Sequence, residues 1–295
     1  MSNIGFIGLG NMGLPMAKNL HKAGHKVKAF DLVNDACIVA TDAGMSIVSS
    51  AAEAATDVDF VITMLPSGSS MLSVFEQTIP VANEGTVFID CSTVDVSSAI
   101  KAHDMTTKVG LGCLDSPVSG GITGAEAGTL TLMIGGEKET FHKAEDILNV
   151  VGGRLVHCGK GGAGQSAKIC NNMLLGVTMI GLSEAFVLAE KLGLDQQALF
   201  DVVSTSSGSC WSLLNYCPVP GVGVTSPADN DYKPGFAAEL MLKDLKLSQQ
   251  AADETKSSTP MGRRATEFYE KFIEDGLGDK DFSAVIKQLK TMQRS

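Results

Sequence analysis

Short apolar segments alternate with amphipathic segments along the first half of the chain. The apolar, β-branched segments predict strands at 4–9, 26–30, 59–65, 86–91, 129–136 and 154–159. The segments between most of them predict helices at 12–23, 34–43, 68–78, 96–107 and 137–149. Strands that alternate with helices are typical of a mostly parallel sheet with helices on both faces.

The pattern changes after the glycine-rich segment 152–164, which we interpret as the end of one domain and a link to the next. Residues 163–192 predict one long helix whose wide apolar stripe indicates burial between domains or subunits. Further helices are predicted at 195–206, 236–256, 259–275 and 281–293. We therefore expect an α/β domain at 1–162 and an all-helical domain at 163–295, with the long helix between them.

Residues 216–236 predict a long loop that contains four of the nine prolines of the chain. A loop of this length in a compact domain is usually functional or disordered. The spaced prolines and the aromatic residues Tyr216, Tyr232 and Phe236 favour an ordered lid near a site.

Composition narrows the classes of protein that fit. The length of 295 residues is typical of two domains. The net charge of −10 argues against nucleic acid as a partner, because phosphate binding needs basic surface. The seven cysteines form no CxxC pair, so we expect reduced thiols and no metal site.

Nothing in the sequence predicts a membrane or a secreted location. The longest apolar run, 173–182, is shorter than the roughly 20 residues that span a bilayer. A strand-like segment begins at residue 3, which leaves little room for a leader. We therefore expect a cytoplasmic protein, or one of the mitochondrial matrix if a eukaryotic transit peptide has been removed.

A GxGxxG segment lies between the first predicted strand and the first predicted helix. In such a loop the first glycine permits the tight turn, the second lets a pyrophosphate approach the backbone, and the third allows close packing. The helix N-terminus then offers N–H groups and positive potential to the anion. A plain strand-to-helix turn is the alternative, but the position of the segment favours a dinucleotide. Its residues are Gly8, Leu9, Gly10, Asn11, Met12 and Gly13.

Asp31, at the end of the second predicted strand, indicates which dinucleotide binds. A carboxylate at this position accepts hydrogen bonds from the ribose hydroxyls of NAD and repels the extra phosphate of NADP. The segment 31–37 contains no basic residue that would hold this phosphate. We therefore predict a Rossmann-type domain that binds NAD.

The segment Asp115-Ser-Pro-Val-Ser-Gly-Gly121 is a candidate carboxylate site. Ser119, Gly120 and Gly121 offer successive backbone N–H groups and one hydroxyl in an unhindered turn. Local sequence alone favours a plain structural turn over a binding loop.

Lys168 is unusual because it lies among small, apolar and amide-bearing residues near the start of the long helix. Asn172 follows four residues later and so projects from the same helix face. A lysine in a partly dry cleft can act as a general acid/base. In isolation, a lysine that extends to solvent from the helix start is the default. The five histidines all lie in the first domain and none pairs with an acid by its spacing, so we expect no catalytic histidine.

Four segments together resemble the 3-hydroxyisobutyrate dehydrogenase family of the β-hydroxyacid dehydrogenases. They are the glycine loop FIGLGNMGLPMAKNL, then DSPVSGG, GAGQSAKICNN and LMLKDLKL, in the family's order and spacing. The segment 206–222 is similar to the 3-hydroxyisobutyrate branch in particular. The resemblance covers nearly the whole chain, and it implies a Rossmann domain, an all-helical second domain, and a dimer or tetramer.

The resemblance also implies roles for individual residues. The catalytic residue is Lys168, and the substrate is bound by Asn172 and by Ser119, Gly120 and Gly121. Trp211 and Phe236 would shape the pocket beside the substrate's methyl group, with core packing as the alternative for both. The cofactor is contacted by the glycine loop, Asp31, Leu65, Pro66, Thr93 and Lys243, and Asp244 orients Lys243.

The implied reaction is NAD-dependent oxidation of 3-hydroxyisobutyrate to methylmalonate semialdehyde, a step of valine degradation. One alternative is a related enzyme that acts on tartronate semialdehyde or succinic semialdehyde. The other is a non-catalytic relative that senses nucleotides or reads chromatin. Such a relative is expected to lack the lysine and to carry a basic tail, whereas this chain keeps Lys168 and is acidic.

Overall fold

The apolar segments of the first half form the strands of one sheet. A computed structural model describes residues 1–292 of the chain. Its strands are β1 (Asn3–Ile7), β2 (Lys26–Phe30), β3 (Ser46–Ile47), β4 (Phe60–Thr63), β5 (Val87–Asp90), β6 (Gly112–Asp115), β7 (Val118–Ser119), β8 (Leu130–Gly135) and β9 (Gly152–Gly159).

The order of strands in this sheet is β3-β2-β1-β4-β5-β6-β8-β7, and β9 pairs with β8. All pairs are parallel except those of β8 with β6 and β7. The mostly parallel sheet is therefore confirmed. The chain leaves β1 in one direction and β4 in the other, and ligands of such sheets bind beside this switch point, at the carboxyl ends of the strands.

Helices cover both faces of the sheet, as the sequence predicts. Along β1, the side chains of Ile4 and Phe6 belong to one buried apolar cluster and that of Ile7 to another. The helices of this part are α1 (Gly13–Lys22), α2 (Asn34–Asp42), α3 (Ala51–Ala54), α4 (Gly68–Thr78), α5 (Val96–Thr107), α6 (Gly121–Ala127) and α7 (Lys138–Val151).

The second half is helical, which confirms the predicted class. Helix α8 (Ala163–Lys191) contains the boundary between two compact units, which falls between Lys168 and Ile169. The later helices are α9 (Gln196–Ser204), α10 (Trp211–Tyr216), α11 (Ala238–Thr255), α12 (Pro260–Phe272) and α13 (Val285–Thr291). The last residue of the helix predicted at 281–293 lies outside the described residues. The domain boundary after residue 162 stays a prediction.

The interpretation of the glycine-rich segment 152–164 as a link is mostly wrong. Most of it is strand β9, and only residues 160–162 separate that strand from α8. Glycine is needed here for close packing, because a Cβ atom on Gly152 would lie 2.1 Å from the Leu132 side chain. The high glycine content therefore marks a tightly packed strand.

Among residues 1–292, α8 is the one helix that is long and apolar enough to cross a membrane. Only 39% of its apolar window is buried. The uninterrupted apolar run 173–182 is only part of this helix, so its length alone underestimates the apolar window. A single helix of this kind is weak evidence, since the core helix of a soluble protein has the same length and composition. The absence of a membrane partner stays a prediction.

Candidate active site

The three glycines of the loop after β1 differ in the space around them. Gly8 has a φ of 99°, and a Cβ there would lie 2.3 Å from the Met64 carbonyl oxygen. A Cβ on Gly13 would lie 2.0 Å from the Gly8 carbonyl oxygen, whereas one on Gly10 would meet nothing within 4 Å. The first and third glycines therefore serve the turn and its packing, and the second leaves the backbone open. This geometry fits a dinucleotide pyrophosphate at the start of α1.

Asp31 lies directly beside this loop. Its Oδ2 accepts a hydrogen bond of 2.5 Å from the Leu9 N–H, and its Oδ1 accepts one of 2.7 Å from the Val33 N–H. The carboxylate is half-buried and fixed by the backbone, and each oxygen keeps a lone pair for a further donor. A ribose diol is such a donor, which fits the predicted role.

A cleft of about 710 Å³ runs along the exposed side of α1. Its lining includes Gly10, Asn11 and Asp31, together with Lys18 and Lys22 farther along the helix. The cleft therefore places the open glycine and the carboxylate at one concave surface.

The other predicted cofactor residues of the first unit follow neighbouring strands. Leu65 and Pro66 come after β4, and Thr93 comes after β5. The Leu65 N–H donates a hydrogen bond of 2.8 Å to Ser92 Oγ, which joins the two strand ends. Parallel strands bring these residues to the same sheet edge as the glycine loop.

The predicted carboxylate loop lies between β7 and α6. Ser119 ends the strand, Gly120 precedes the helix, and Gly121 is its first residue. Gly120 has a φ of 140° and Gly121 a φ of 65°, so both adopt backbone that side chains rarely tolerate. Both glycines are exposed, and the turn leaves their backbone accessible.

Lys168 extends back to this loop. It is 7% exposed, and its Nζ donates a hydrogen bond of 2.8 Å to the Val118 carbonyl oxygen, next to Ser119. A lysine that extends to solvent, the alternative reading, does not fit this burial. The structure thus brings together two sequence segments that were predicted to bind one substrate.

In the second unit, Asn172 is buried and donates a hydrogen bond of 2.5 Å from Nδ2 to Asp244 Oδ2. Asn171 donates to Asn172 Oδ1 at 2.9 Å. The structure thus connects Asn172 with Asp244 of α11, the predicted orienting residue of Lys243. The orientation of Lys243 by Asp244 stays a prediction.

Trp211 and Phe236 belong to one row of aromatic rings in the second unit. Trp211 stacks on Tyr216 at 5.5 Å, and Tyr216 and Phe236 both contact Phe282. Trp211 is 55% exposed, so core packing does not explain it, whereas Phe236 is half-buried. The indole is available to a ligand at one end of the row.

The predicted lid at 216–236 is ordered by its own hydrogen bonds. The buried Asp281 accepts them from the Tyr216 hydroxyl at 2.8 Å and from the N–H groups of Gly235 and Phe236 at 3.0 Å. Tyr232 donates to the Pro218 carbonyl oxygen at 2.7 Å. The lid therefore has a fixed shape, which favours the ordered reading over disorder.

A partly buried ion pair in the first unit was not predicted from the sequence. His103 Nε2 lies 2.9 Å from Asp115 Oδ1, so the statement that no histidine pairs with an acid is wrong. Burial lowers the pKa of His103, but its hydrogen bonds, chiefly to Asp115, outweigh this effect and raise the pKa to about 10. The imidazole is therefore charged at neutral pH, which suits a structural role better than proton transfer.

Asp115 is also bonded to the start of α8. Its Oδ1 accepts a hydrogen bond of 2.8 Å from the Gly162 N–H, and its Oδ2 accepts one of 2.9 Å from the Gln165 N–H. His103 and Asp115 are 12 residues apart, on α5 and at the end of β6. No local pattern in the sequence marks a contact between those elements.

A second buried carboxylate lies at the end of β5. Asp90 Oδ1 accepts hydrogen bonds from Thr63 Oγ1 at 2.7 Å and from Ser92 Oγ at 2.6 Å. Its Oδ2 has no hydrogen-bond partner among residues 1–292. Burial raises the pKa of Asp90 to about 6, although the bonds from Ser92 and Thr63 act in the opposite direction.

Candidate metal ligands and cysteines occur in the part of the chain that the structure describes. No group of three or more His, Cys, Asp or Glu side chains in residues 1–292 is arranged to hold a metal ion. All seven cysteines are free thiols.

Two family models match the chain. The NAD binding domain of 6-phosphogluconate dehydrogenase matches residues 3–159, which contain the sheet and the glycine loop. The NAD-binding domain of NADP-dependent 3-hydroxyisobutyrate dehydrogenase matches residues 162–289. Together with the fold, these matches define an NAD-dependent dehydrogenase with a Rossmann domain and a helical second domain, as the sequence predicts.

Individual relatives are similar over nearly the full chain. The probable 3-hydroxyisobutyrate dehydrogenase of Mycobacterium tuberculosis is 47% identical over 290 residues, which are 98% of each chain. The NAD-dependent L-serine dehydrogenase of Pseudomonas aeruginosa is 44% identical over 290 residues, which are 97% of each chain.

One solved structure extends the similarity to the fold. The M. tuberculosis 3-hydroxyisobutyrate dehydrogenase with L-serine has a TM-score of 0.96 and 47% identity, covering 99% of this chain and 100% of that one. The chain belongs to the 3-hydroxyisobutyrate dehydrogenase family of the β-hydroxyacid dehydrogenases. The predictions of family, fold and NAD as cofactor are confirmed.

Proposed function

We propose that this chain oxidises 3-hydroxyisobutyrate to methylmalonate semialdehyde with NAD, and that Lys168 is its general acid/base. The observation that carries the proposal is the bond of 2.8 Å from the buried Lys168 Nζ to the Val118 carbonyl oxygen. It holds the amine beside the loop Ser119–Gly121, which is the proposed carboxylate site and in which both glycines are exposed.

Substrate binding is assigned to this loop first. The Ser119 hydroxyl and the N–H groups of Gly120 and Gly121 are the proposed donors to the substrate carboxylate. Each glycine has a positive φ, so a side chain at either position would strain the turn. A carboxylate fixed there sets the distance from the substrate's hydroxyl group to Lys168.

Lys168 then moves the proton. Its side chain is 7% exposed. In the proposed step its amine accepts the hydroxyl proton of the substrate. In the reverse direction the ammonium donates this proton to the carbonyl oxygen. We assign Asn172 to binding the same hydroxyl, with its amide held by the bond to Asp244.

The glycine loop, Asp31, Leu65, Pro66, Thr93 and Lys243 are the proposed cofactor contacts, and Asp244 is the proposed orienting group. Bound NAD supplies the hydride acceptor, while the protein binds and orients the reactants. The space beside Gly10 and the backbone-held Asp31 carboxylate fit its pyrophosphate and its ribose diol.

The apolar side of the substrate is assigned to Trp211 and Phe236. The exposed indole of Trp211 offers a flat apolar surface to the methyl group that distinguishes 3-hydroxyisobutyrate from smaller hydroxy acids. Tartronate semialdehyde and succinic semialdehyde lack this methyl branch and are the alternatives among related substrates.

L-Serine is a second candidate substrate. The relative from P. aeruginosa is named as an L-serine dehydrogenase, and the similar M. tuberculosis structure was solved with L-serine. Serine, like 3-hydroxyisobutyrate, carries its hydroxyl on the carbon β to the carboxylate, so the same loop and lysine suit it.

The oligomeric state and the cellular compartment of the protein are also proposed. We infer a homodimer or homotetramer in the cytoplasm, or in the mitochondrial matrix if the source is a eukaryote. A small hydroxy acid is the proposed partner, with neither nucleic acid nor membrane.

The test measures NADH formation from each enantiomer of 3-hydroxyisobutyrate, beside L-serine, glycerate and 4-hydroxybutyrate, with NAD and with NADP. We expect one enantiomer with NAD to give the highest kcat/KM. A higher kcat/KM for another acid would overturn the substrate assignment and leave the role of Lys168 standing.

Lys168→Ala tests the mechanism. The variant is expected to lose at least about 100-fold in kcat, the usual size of a general acid/base contribution, while NADH binding persists. Lys160→Ala is the matched control, because Lys160 is an exposed lysine just before α8. Near-normal turnover of Lys168→Ala would refute the assignment.

A further inference from the structure

Gln165 lies in the first turn of α8 and is fully buried. Its side-chain amide bonds to the segment after β5 in two ways. Nε2 donates to the Ser92 carbonyl oxygen at 2.7 Å, and Oε1 accepts from the Val94 N–H at 3.1 Å. The amide therefore brackets Thr93, which is one of the proposed cofactor contacts.

The backbone of Gln165 makes a third bond, to Asp115 Oδ2 at the end of β6. One residue thus joins the start of α8 to the ends of two neighbouring strands. A primary amide side chain of this length donates and accepts at once in this position whatever the pH. An apolar residue of the same size would leave the Ser92 carbonyl and the Val94 N–H buried without partners.

Lys168 follows Gln165 by three residues in the same helix, so the anchor of the first turn also sets the position of the lysine. The network extends to the loop after β4, because Ser92 Oγ accepts the Leu65 N–H at 2.8 Å. Gln165 therefore connects the helix that carries the proposed acid/base with the segment after β5 and, through Ser92, with the segment after β4.

We propose that Gln165 is a positioning residue that holds Lys168 at a fixed distance from the cofactor segment 92–94. The inference rests on the proposed function of Lys168. Gln165 touches none of the reacting groups and acts through the helix and the loop that it joins. A displacement of about 1 Å at a reacting group can lower a rate about 100-fold, so loss of the anchor should appear in kcat.

Gln165→Met tests the proposal in the full-length enzyme. We expect kcat to fall about 10- to 100-fold, with the Kd of NADH, measured by fluorescence, nearly unchanged. Gln288→Met in α13 is the control, because it removes another buried amide that lies apart from the proposed site residues. A normal kcat in Gln165→Met, or an equal loss of kcat in the control, would overturn the proposal.

Gln165→Glu separates positioning from general stability. A carboxyl group at this position still accepts from Val94, but it donates to the Ser92 carbonyl only when it is protonated. Asp115, Asp90 and His103 are the titratable groups of the surrounding network. The ratio of variant to wild-type kcat should therefore rise as pH falls, whereas a ratio independent of pH contradicts the proposal. This test remains usable if the methionine variant does not fold.

Lys168→Ala distinguishes the two proposals. If Lys168→Ala is active, the proposed function fails and the inference fails with it. If Lys168→Ala is inactive while Gln165→Met has normal kcat, only the positioning role is refuted.

Discussion

Two helices that begin in the first unit, α1 and α8, begin in different ways. At α1, the N-cap Met12 provides no side-chain hydrogen bond, and the first turn contains no acidic residue. At α8, the Asp115 carboxylate accepts the N–H groups of Gly162 and Gln165. A helix N-terminus attracts an anion through its N–H groups and its dipole. The protein supplies this anion at α8, whereas the anion at α1 is left to a ligand.

The two helix ends have different roles in the proposed reaction. The end of α1 must be reached from solvent, so it is built from glycine backbone with open space beside Gly10. The end of α8 must stay in place, because Lys168 lies one turn later. An internal carboxylate that is itself paired with His103 gives that end a fixed position. Substitutions at the two ends should therefore have different results.

The largest effect is expected from Asp115→Ala. It removes the partner of the partly buried His103 and the acceptor of two N–H groups. Loss of one partner of a buried ion pair costs about 3–5 kcal/mol. The measurement is the free energy of unfolding in urea.

Asp95→Ala is the matched control for this variant. Asp95 caps α5 through a bond of 2.7 Å to the Ser98 N–H, without an ion pair. Loss of a cap alone costs about 0.5–2 kcal/mol. Equal losses in the two variants would show that the buried pair adds nothing beyond capping.

Gly10→Ala and Gly13→Ala should separate ligand binding from stability at α1. The Cβ of Gly10→Ala enters open space, so the fold should persist while the Kd of NADH rises at least about tenfold, which is 1.4 kcal/mol. The Cβ of Gly13→Ala meets the Gly8 carbonyl oxygen, so this variant should lose about 1–3 kcal/mol of stability. Thermal unfolding and NADH titration check both. If Gly10→Ala binds NADH normally, no pyrophosphate approaches the loop there.

The end of α1 could be predicted from sequence, and that of α8 only in part. The glycine loop is a local pattern, since its three glycines and the strand before it lie within a dozen residues. Lys168 could be predicted from the small, apolar and amide-bearing residues beside it in the sequence and from the family resemblance. Its anchors were not found, because Gln165 bonds to residues 71 and 73 positions away. Spacing along the chain carries no signal for such contacts.

The same reason explains which elements escaped prediction. Strand β3 has two residues and helix α3 has four, too few to show a hydrophobic period. The link between Asn172 and Asp244 spans 72 positions and depends on how α8 and α11 pack in the second unit. Long elements and local motifs are therefore predictable, whereas buried polar contacts between elements depend on the assembled fold.

His103→Gln tests whether the end of α8 depends on charge. The pKa of His103 is about 10 in the fold against 6.5 as a reference. The raised pKa gives stability that is fully present below pH 6.5 and is lost as pH rises to about 10. One proton changes the free energy of unfolding by at most about 1.4 kcal/mol per pH unit. The free energy of unfolding, measured in urea between pH 6 and pH 10, should change less with pH in the variant than in the wild type. Equal slopes would contradict a stabilising His103–Asp115 ion pair.

The smallest effect at neutral pH is expected from Asp90→Asn. The Asn Oδ1 can still accept from Thr63 and Ser92, while an amide nitrogen replaces an oxygen that has no partner. A new unsatisfied donor costs about 1–3 kcal/mol, and removal of a buried carboxylate offsets part of this.

The effect of Asp90→Asn is easier to detect in the pH dependence of the free energy of unfolding. Because burial raises the pKa of Asp90 from 3.8 to about 6, the folded protein binds this proton more tightly than the unfolded chain. The contribution of Asp90 to stability therefore falls as pH rises from about 3.8 to about 6 and is constant above that range. Asp90→Asn should remove this fall, measured by urea unfolding between pH 4 and pH 7. A pH profile parallel to that of the wild type would mean that Asp90 is solvated. The end of β5, which Gln165 joins to α8, would then be more open to water than the site of Asp115.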